Sequence, residues 1–384
     1  MAKFVTFVLP CLNEAQSIGK VVKRIKDTFD KFKIDGEVIV SDNGSTDGSQ
    51  EIAKKFGAKV FKAEKRGYGN AYLNIFVDNI DKVKDGYIFM ADSDNTYEYE
   101  AIPRFIEKLD EGYDLVIGDR FKLMEKGAMP FLNKYVGNPI LRGLFNILFH
   151  SNIRDTHCGM RAFTKEALIK LKLKCGGMEF ASEMMLKALR EKLKIAQVDI
   201  KYSPRIGDSK LNPFNDGWRH LKFMLLYAPN YLFLAPGSIM ALVGLTYIII
   251  LSLGPIITEG NLHFGIHQMI LGSSLAIVGY QILMIWLFAH AYALKHIFED
   301  ENSTVKKIIE FFTLEKGLIL GIILFLIGFI IDIRISYLWI INGFKNLNQI
   351  HPAILALTLI VIGIQTIFAS FFLNTIVVGI EKKD

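Results

Sequence analysis

Cysteine is scarce in this 384-residue chain, which contains only Cys11, Cys158 and Cys175. An odd count without any paired, metal-type spacing argues against both a disulfide framework and a zinc site. Two phosphate-binding signatures are also missing, because there is no G-x-x-x-x-G-K-[ST] loop and no G-x-G-x-x-G after the first predicted strand. These absences disfavour P-loop nucleotidases and dinucleotide-dependent enzymes.

Charged residues become rare beyond about Tyr231, although 51% of the whole chain is hydrophobic. Four apolar stretches there are long enough to cross a bilayer, which takes about 20 residues of helix. They cover 232–253, 269–290, 317–340 and 353–380. The pattern predicts a soluble domain over 1–215, an amphipathic interfacial helix over 216–231 and a four-helix transmembrane domain over 232–384.

Basic residues are absent from one of the predicted loops. Segment 254–268 has no Lys or Arg, whereas 201–222 and 291–316 hold several. Because Lys and Arg mark the cytoplasmic side of a membrane, we expect the soluble domain and the C-terminus to face the cytoplasm. Met1–Pro10 reads as a strand and lacks the basic start and cleavage site of a signal peptide. The net charge of +6 lies mostly beside the predicted spans, which favours lipid headgroups and phosphates over nucleic acid as partners.

The soluble part alternates between strand-like and helix-like patterns. Apolar β-branched runs predict strands over 4–10, 36–42, 58–63, 86–94 and 113–120. Helical spacing of apolar residues predicts helices over 14–32, 49–56 and 69–80. This alternation predicts an α/β domain with a parallel sheet covered by helices on both faces.

Polar residues follow three of these strands, in "PCLNEA", "SDNGSTD" and "ADSDN". Ligands of such sheets bind beyond the carboxyl ends of the strands. Acidic residues after a single strand usually serve to form a turn, but polar residues after three neighbouring strands favour a ligand-binding site. Asp92 and Asp94 are two residues apart, so in extended backbone both carboxylates would point to one side and could approach one cation. Hard oxygen ligands of this kind suit Mg²⁺ or Mn²⁺ held together with a substrate phosphate.

Five motifs in order, "VLPCLNEA", "VIVSDNGSTDGS", "KRGYGNAY", "FMADSDNTY" and "IGDRF", resemble family 2 glycosyltransferases with the GT-A fold. Three later ones, "RDTHCGMRAFTKEAL", "GMEFASEMMLKAL" and "YSPRIGDSKLN", are similar to the polyprenyl-phosphate branch, which includes dolichol-phosphate mannose and glucose synthases. The resemblance covers about 4–225. It implies an α/β GT-A domain, Rossmann-like with a mostly parallel sheet, and the spans look like the membrane anchor of some members.

The resemblance implies a role for each matching residue. The residues that match nucleotide-sugar-binding positions of the family are Pro10, Asn13, Glu14, Asp42, Lys65, Gly69, Asp92 and Ser93. Asp92 and Asp94 match the motif that binds the diphosphate and a divalent metal, Mg²⁺ or Mn²⁺. The chain departs from the pattern at Asn43, where members often carry a second acid, and at Thr96, where mannose synthases have a Gln that can join the metal.

The resemblance also implies catalytic and acceptor residues. The residues that match catalytic positions are Asp94, Arg120 and Glu183. Those that would bind the phosphate of the acceptor lipid are Arg120, Arg205, Ser209 and Lys210. Two alternatives stay open: Glu183 is either a base or a helix residue paired with a cation, and the basic residues after 204 are either phosphate ligands or membrane-surface charge. Asp155, Gly159 and Arg161 match a motif near the acceptor. Cys158 is expected to be a small buried residue and not a nucleophile.

The function implied is an inverting, metal-dependent transfer of a hexose from a nucleotide diphosphate sugar to a polyprenyl or dolichyl monophosphate. "DSDNTY" and "THCGMRAF" look more like the UDP-glucose-type members, so a UDP-hexose is favoured and GDP-mannose is the alternative. A processive polysaccharide synthase is disfavoured because no Q-x-x-R-W motif is present. A non-catalytic lipid or nucleotide sensor is disfavoured because the acidic pair and Arg120 are retained. The spans leave homo-oligomerisation open.

Overall fold

The computed structural model describes residues 3–207, 213–257, 263–296 and 313–378. The chain divides into two units, Met1–Met224 and Leu225–Asp384. The first unit alternates strands and helices, and the second consists mainly of long apolar helices.

A seven-stranded sheet, in the order β3-β2-β1-β4-β6-β5-β7, forms the centre of the first unit. Its strands are β1 (Phe4–Cys11), β2 (Gly36–Asp42), β3 (Lys59–Lys62), β4 (Gly86–Met90), β5 (Leu115–Met124), β6 (Arg161–Thr164) and β7 (Ile195–Tyr202). The helices of this region are α1 (Ile18–Phe32), α2 (Ser49–Lys55), α3 (Tyr68–Phe76), α4 (Ile102–Asp110), α5 (Asn138–Phe149), α6 (Lys165–Lys170), α7 (Phe180–Arg190) and α8 (Pro213–Tyr227). The sheet is mostly parallel, as predicted, but β6 runs antiparallel to β4 and β5.

Burial explains why these segments take their places. Strand β1 lies between β2 and β4, and Val5, Phe7 and Leu9 are fully buried along with their neighbours. A strand that is buried on both faces needs a nearly continuous apolar run, and "FVTFVL" supplies one in which Thr6 is the single polar residue. Helix α1 instead buries one stripe, including Val22 and Ile25. Each such side chain stabilises the fold by about 1.5–3 kcal/mol.

Several predicted boundaries were wrong at the site's edge. Strand β4 ends at Met90 and not at 94, because the backbone then bends and Asn95 adopts a left-handed φ of 63°. Asp92 and Asp94 therefore lie on a loop, and the extended-strand reason for their shared direction was incorrect. Helix α1 starts at Ile18 and not at 14, which leaves 12–17 as a loop that carries polar groups. Strands β6 and β7 were not predicted from the pattern.

The second unit contains four helices long and apolar enough to span a membrane, within the residues that the structure describes. These candidate spans are Asn230–Ser252, Ile266–Tyr292, Leu314–Ile341 and Ile350–Val377, close to the four predicted stretches; residues 379–380 of the last stretch lie outside the described part. Glycines allow close packing of these helices. A Cβ on Gly321 would lie 2.8 Å from the carbonyl oxygen of Gly363, as is typical of helix packing in lipid.

Candidate active site

The loops after β1 and β2 hold each other in place. Asn13 has a left-handed φ of 50°, and its Oδ1 accepts a hydrogen bond from the Thr46 backbone N–H at 2.8 Å. The fully buried Asp42 carboxylate accepts from the N–H groups of Gly44 and Ser45 and from the side chain of Gln50. Asn13 and Asp42 were predicted to contact the nucleotide, and in the structure their side chains hold the two loops in shape by hydrogen bonds. Their contact with a nucleotide stays a prediction.

Glu14, Asp94 and Arg205 meet at this edge of the sheet although they are far apart in the chain. Arg205 Nη2 lies 3.3 Å from Glu14 Oε1, and Nη1 lies 3.8 Å from Asp94 Oδ2. Asp94 Oδ1 also accepts from the hydroxyl of Thr96 at 2.7 Å. Within the part of the chain that the structure describes, the Arg205 Nε is buried and has no hydrogen-bond partner. The arginine predicted to bind the acceptor phosphate therefore lies against the carboxylates predicted to bind donor and metal.

Asp92 is held by two tyrosines that the sequence analysis did not single out. The Tyr68 hydroxyl donates to Asp92 Oδ1 at 2.9 Å, and the Tyr97 hydroxyl donates to Oδ2 at 3.1 Å. Tyr97 in turn accepts from the Gly159 N–H at 2.9 Å. A Cβ on Gly159 would lie 2.6 Å from Asp92 Oδ2, so only glycine fits there. Both tyrosines stand in quoted motifs, "KRGYGNAY" and "DSDNTY", which was the available signal.

The Asp92 carboxyl is difficult to ionise in this setting. Burial and then the nearby Asp94 charge raise the pKa of Asp92 to about 6, against the opposing effect of the Tyr68 and Tyr97 hydrogen bonds and of Arg120. A bound cation would favour the ionised form. Among the described residues no three or more His, Cys, Asp or Glu side chains are grouped as metal ligands. Two carboxylates fit Mg²⁺ or Mn²⁺ nonetheless, because Mg²⁺ is usually held by one or two carboxylates, water and substrate phosphates.

Ser93 and Gly69 connect the site to its scaffold. The Ser93 hydroxyl donates to the Pro10 carbonyl at 2.7 Å, which links the ends of β4 and β1. A Cβ on Gly69 would collide with the Cys175 carbonyl oxygen, so this glycine lets α3 approach the 174–176 loop. Lys65 has an exposed side chain, and its carbonyl accepts from Asn43. Their predicted nucleotide contacts stay predictions.

Arg120 forms a buried ion pair with Asp155. Its Nε donates to Asp155 Oδ2 at 2.6 Å and its Nη2 to Oδ1 at 2.9 Å, while the guanidinium stacks over the Tyr202 ring at 5.1 Å. A buried bidentate pair is well oriented, and breaking it is costly. Arg120 was predicted to bind a phosphate, but two of its three guanidinium nitrogens donate hydrogen bonds to Asp155. The contact of Arg120 with a phosphate stays a prediction.

Glu183 is a buried residue of α7. Its carboxylate accepts from the backbone N–H groups of Lys174 and Cys175, at 3.0 and 2.8 Å, and pairs with Lys187 Nζ at 2.8 Å. These contacts match the alternative in which Glu183 is a helix residue paired with a cation. They fix the 174–176 loop, against which α3 packs to present Tyr68 to Asp92. The catalytic-base role stays a prediction.

The "THCGMR" motif is buried in the fold. Arg161 is fully buried and donates to the carbonyls of Thr156, Cys158 and Ala181, so it holds the loop that carries Gly159. Its predicted place near the acceptor stays a prediction. Burial, followed by the Asp155 charge, raises the pKa of Cys158 to about 12. A thiol of that kind stays protonated at neutral pH and is no nucleophile, as expected.

A histidine pair joins α8 to the rest of the first unit. The His157 and His220 rings lie 4.4 Å apart, edge to face. The Ser182 hydroxyl and His220 Nδ1 share a hydrogen bond of 2.8 Å. His220 belongs to α8, the helix that overlaps the predicted interfacial segment. Ser209 and Lys210, which precede α8, lie outside the described residues.

A mostly parallel GT-A-like domain followed by a membrane-embedded region of four apolar helices defines the class of this protein. Two family models match it: "Glycosyl transferase family 2" over residues 6–172 and "Glycosyltransferase family 2 C-terminal transmembrane region" over 287–377. The low-salt glycan biosynthesis hexosyltransferase Agl6 of Haloferax volcanii is 34% identical over 98% of this chain and 90% of its own length. The chain belongs to glycosyltransferase family 2 and is an enzyme of that class.

Other relatives match the catalytic part. The dolichyl-phosphate hexose transferase of Haloferax volcanii is 34% identical over 55% of this chain and 87% of its own length. A solved structure of glucosyl-3-phosphoglycerate synthase from Mycobacterium tuberculosis, in complex with Mn²⁺, UDP-glucose and phosphoglyceric acid, is 22% identical. That likeness covers 58% of this chain and 79% of the other, with a TM-score of 0.46.

Proposed function

We propose that this glycosyltransferase moves a hexose from a nucleoside diphosphate sugar to the phosphate of a polyprenyl or dolichyl monophosphate. The reaction would take place at the cytoplasmic face of the membrane with inversion at the anomeric carbon. A UDP-hexose is the favoured donor and GDP-mannose the alternative. The observation that carries this proposal is the meeting of Glu14, Asp94 and Arg205 beside Asp92. The relation to the Haloferax dolichyl-phosphate hexose transferase supports the lipid acceptor.

The chemistry needs little from a general base. An oxygen of the acceptor phosphate is already anionic; it forms the new bond to the anomeric carbon, and the old bond to the diphosphate oxygen breaks as the nucleoside diphosphate leaves. Catalysis then consists mainly of positioning and charge stabilisation. This fits Glu183, whose carboxylate is occupied by two backbone N–H groups and Lys187 and is not needed as a base.

The chain's own residues would orient both phosphate groups. Asp92 and Asp94 would hold a Mg²⁺ or Mn²⁺ ion, which supplies a Lewis acid for the departing diphosphate. Tyr68 and Tyr97 fix the Asp92 carboxylate in one orientation. Arg205, whose buried Nε has no partner among the described residues, would bind the acceptor phosphate beside the donor. Arg120, oriented by Asp155, would add positive charge on the same side.

A transfer assay tests this proposal. Full-length protein in detergent would receive dolichyl phosphate, Mn²⁺ or Mg²⁺, and a panel of UDP- and GDP-sugars labelled in the hexose. We expect one labelled hexose per lipid, and a loss of about 100-fold or more in Asp94→Asn, because several kcal/mol of charge stabilisation correspond to at least two powers of ten. Asp85→Asn, at a carboxylate that is 96% exposed, is the matched control.

Other results would identify the alternatives. Polymer on the lipid would indicate a processive synthase. Nucleotide binding without transfer from any donor would indicate a sensor. Full activity in Asp94→Asn, or in the presence of EDTA, would show that the acidic loop after β4 does not serve the reaction.

A further inference from the structure

Two glutamines meet in the middle of the membrane-embedded region. Gln281 lies near the centre of the second candidate span, Ile266–Tyr292, and Gln365 lies near the centre of the fourth, Ile350–Val377. The Gln365 Nε2 donates a hydrogen bond to Gln281 Oε1 at 3.0 Å. At the centre of a bilayer no water is present to bind an amide, so each of its polar groups needs a partner supplied by protein.

The single hydrogen bond between the two glutamines leaves several of their polar groups without a partner. A glutamine side chain offers two N–H donors and a carbonyl oxygen that accepts up to two hydrogen bonds. Within the described part of the chain, Gln365 Oε1 is buried without a hydrogen-bond partner, and the Gln281 amide nitrogen donates to no residue. Gln281 is exposed on the outside of its helix. A polar group that faces hydrocarbon in this way is costly, and in membrane spans it marks a functional contact by default.

Other polar side chains of the spans are satisfied within the chain. The hydroxyls of Tyr280 and Thr366 share a hydrogen bond of 2.6 Å between the second and fourth spans. Thr246 faces outward from the first span, as Gln281 does from the second, but its hydroxyl donates to the Leu242 carbonyl of its own helix at 2.7 Å. Gln281 therefore differs from an outward hydroxyl, because its amide nitrogen has no such internal acceptor among the described residues.

Gln281 belongs to an outward face with the spacing of a coiled coil. The exposed residues of this face follow one another at intervals of three, four, three and four residues: Leu271, Ser274, Val278, Gln281 and Ile285. We call these five residues the glutamine seam. A repeat of about 3.5 residues is the seam by which two helices wind around each other. Ser274 is small and its hydroxyl donates to the Ile270 carbonyl at 3.0 Å, so it allows a second helix to approach closely.

We propose that the glutamine seam is the contact surface for a second copy of this chain, and that the amides of the two Gln281 residues bind each other near the centre of the bilayer. Every copy inserts the same spans into the same bilayer, so the Gln281 of each copy lies at the same depth. An amide is both donor and acceptor, so two identical amides related by a two-fold axis complement each other. Lipid chains offer neither donors nor acceptors. A polar residue at one seam position also fixes the register of the two helices. This inference does not depend on the sugar, metal or acceptor.

Energy transfer between labelled copies measures this association. Full-length protein that carries a donor or an acceptor fluorophore at its C-terminus is reconstituted together in lipid vesicles, and the protein is diluted with lipid over a wide range. We expect energy transfer above that of random proximity, with a saturable dependence on the protein-to-lipid ratio. Gln281→Leu should raise the dissociation constant about 3- to 30-fold, the range that hydrogen bonds between membrane helices provide. The matched control Thr246→Val removes an outward polar group that its own helix satisfies, and it should leave the dissociation constant unchanged.

Disulfide cross-linking locates the contact. Cys175 is replaced by serine, and the other two native cysteines are buried. On mild oxidation in vesicles, Val278→Cys in the glutamine seam should join two copies. Ile330→Cys lies near the middle of the span Leu314–Ile341 and is 62% exposed, so it faces lipid at a similar depth and should stay unlinked.

A protein that shows only random proximity at every dilution would overturn the proposal. Self-association of equal strength in Gln281→Leu and in the unaltered protein would overturn it too, because the amide would then have no part in the contact. Cross-linking at position 330 and not at position 278 would place the contact on another face. If Gln281→Leu fails to fold, Ser274→Ile, which puts a bulky side chain into the same seam, carries the same expectation of weaker association.

Discussion

The histidine pair that attaches α8 should fail in acid. Burial, followed by the charge of Arg161, lowers the pKa of His220 to about 4. Burial, followed by the charges of His220, Arg120 and Arg161, lowers the pKa of His157 well below its usual range. Both rings are therefore neutral at neutral pH. Only a neutral ring can share the 2.8 Å hydrogen bond with Ser182 without placing a new charge beside these arginines.

The sign and size of the effect follow from His220. When α8 is detached, His220 takes up a proton near its ordinary pKa of 6.5, but in the folded protein it does so only near 4. The attachment is thus fully stable above pH 6.5 and loses stability as the pH falls toward 4. A difference of about 2.5 pKa units at 1.36 kcal/mol each gives a loss of about 3 kcal/mol, which is more than a 100-fold change in the opening equilibrium.

Hydrogen exchange measures this opening in the full-length protein. We expect the protection of α8 amides, corrected for intrinsic exchange, to fall by about 100-fold between pH 7 and pH 4. His220→Gln keeps a hydrogen-bonding side chain that cannot be protonated, so the part of the fall that is due to His220 should disappear and only the contribution of His157 should remain. His150→Gln, at an exposed histidine, should behave like the unaltered protein. Equal protection of α8 at pH 7 and pH 4 in the unaltered protein would refute the reasoning.

Three further predictions concern the site. Gly159→Ala should abolish most activity without unfolding the protein, because its Cβ would displace Asp92 and Tyr97; Gly143→Ala, whose Cβ meets nothing within 4 Å, should be neutral in the same transfer assay. Arg205→Gln should tighten Mn²⁺ binding without nucleotide, measured by electron paramagnetic resonance, because the guanidinium no longer neutralises Asp94; unchanged affinity would contradict the observed pairing. Glu183→Gln should cost about 3 kcal/mol, seen as a lower Tm, because it leaves Lys187 without its carboxylate. A large fall in kcat at unchanged Tm would instead identify Glu183 as a base.

Much of the fold followed from local patterns. The strand of residues 4–11 and the four candidate spans were predictable because each has a continuous apolar run, and runs of that length have few other stable solutions. Strand β6 was missed because four residues, one of them a buried arginine, give no strand periodicity. The bend after Met90 was missed because a left-handed Asn95 is specified by its surroundings and not by its neighbours in sequence.

The sequence by itself determined the family, the acidic loops at the strand ends and the apolar spans, because these depend on residue types in a fixed order. Only the tertiary structure decided what each side chain contacts. In the folded chain Arg205 pairs with Glu14, which lies 191 positions away in the sequence. Asp92 accepts hydrogen bonds from Tyr68 and Tyr97, and the Glu183 carboxylate accepts hydrogen bonds from backbone N–H groups. Such contacts depend on distances between elements that the packing of the sheet and its helices sets, and no local spacing encodes them.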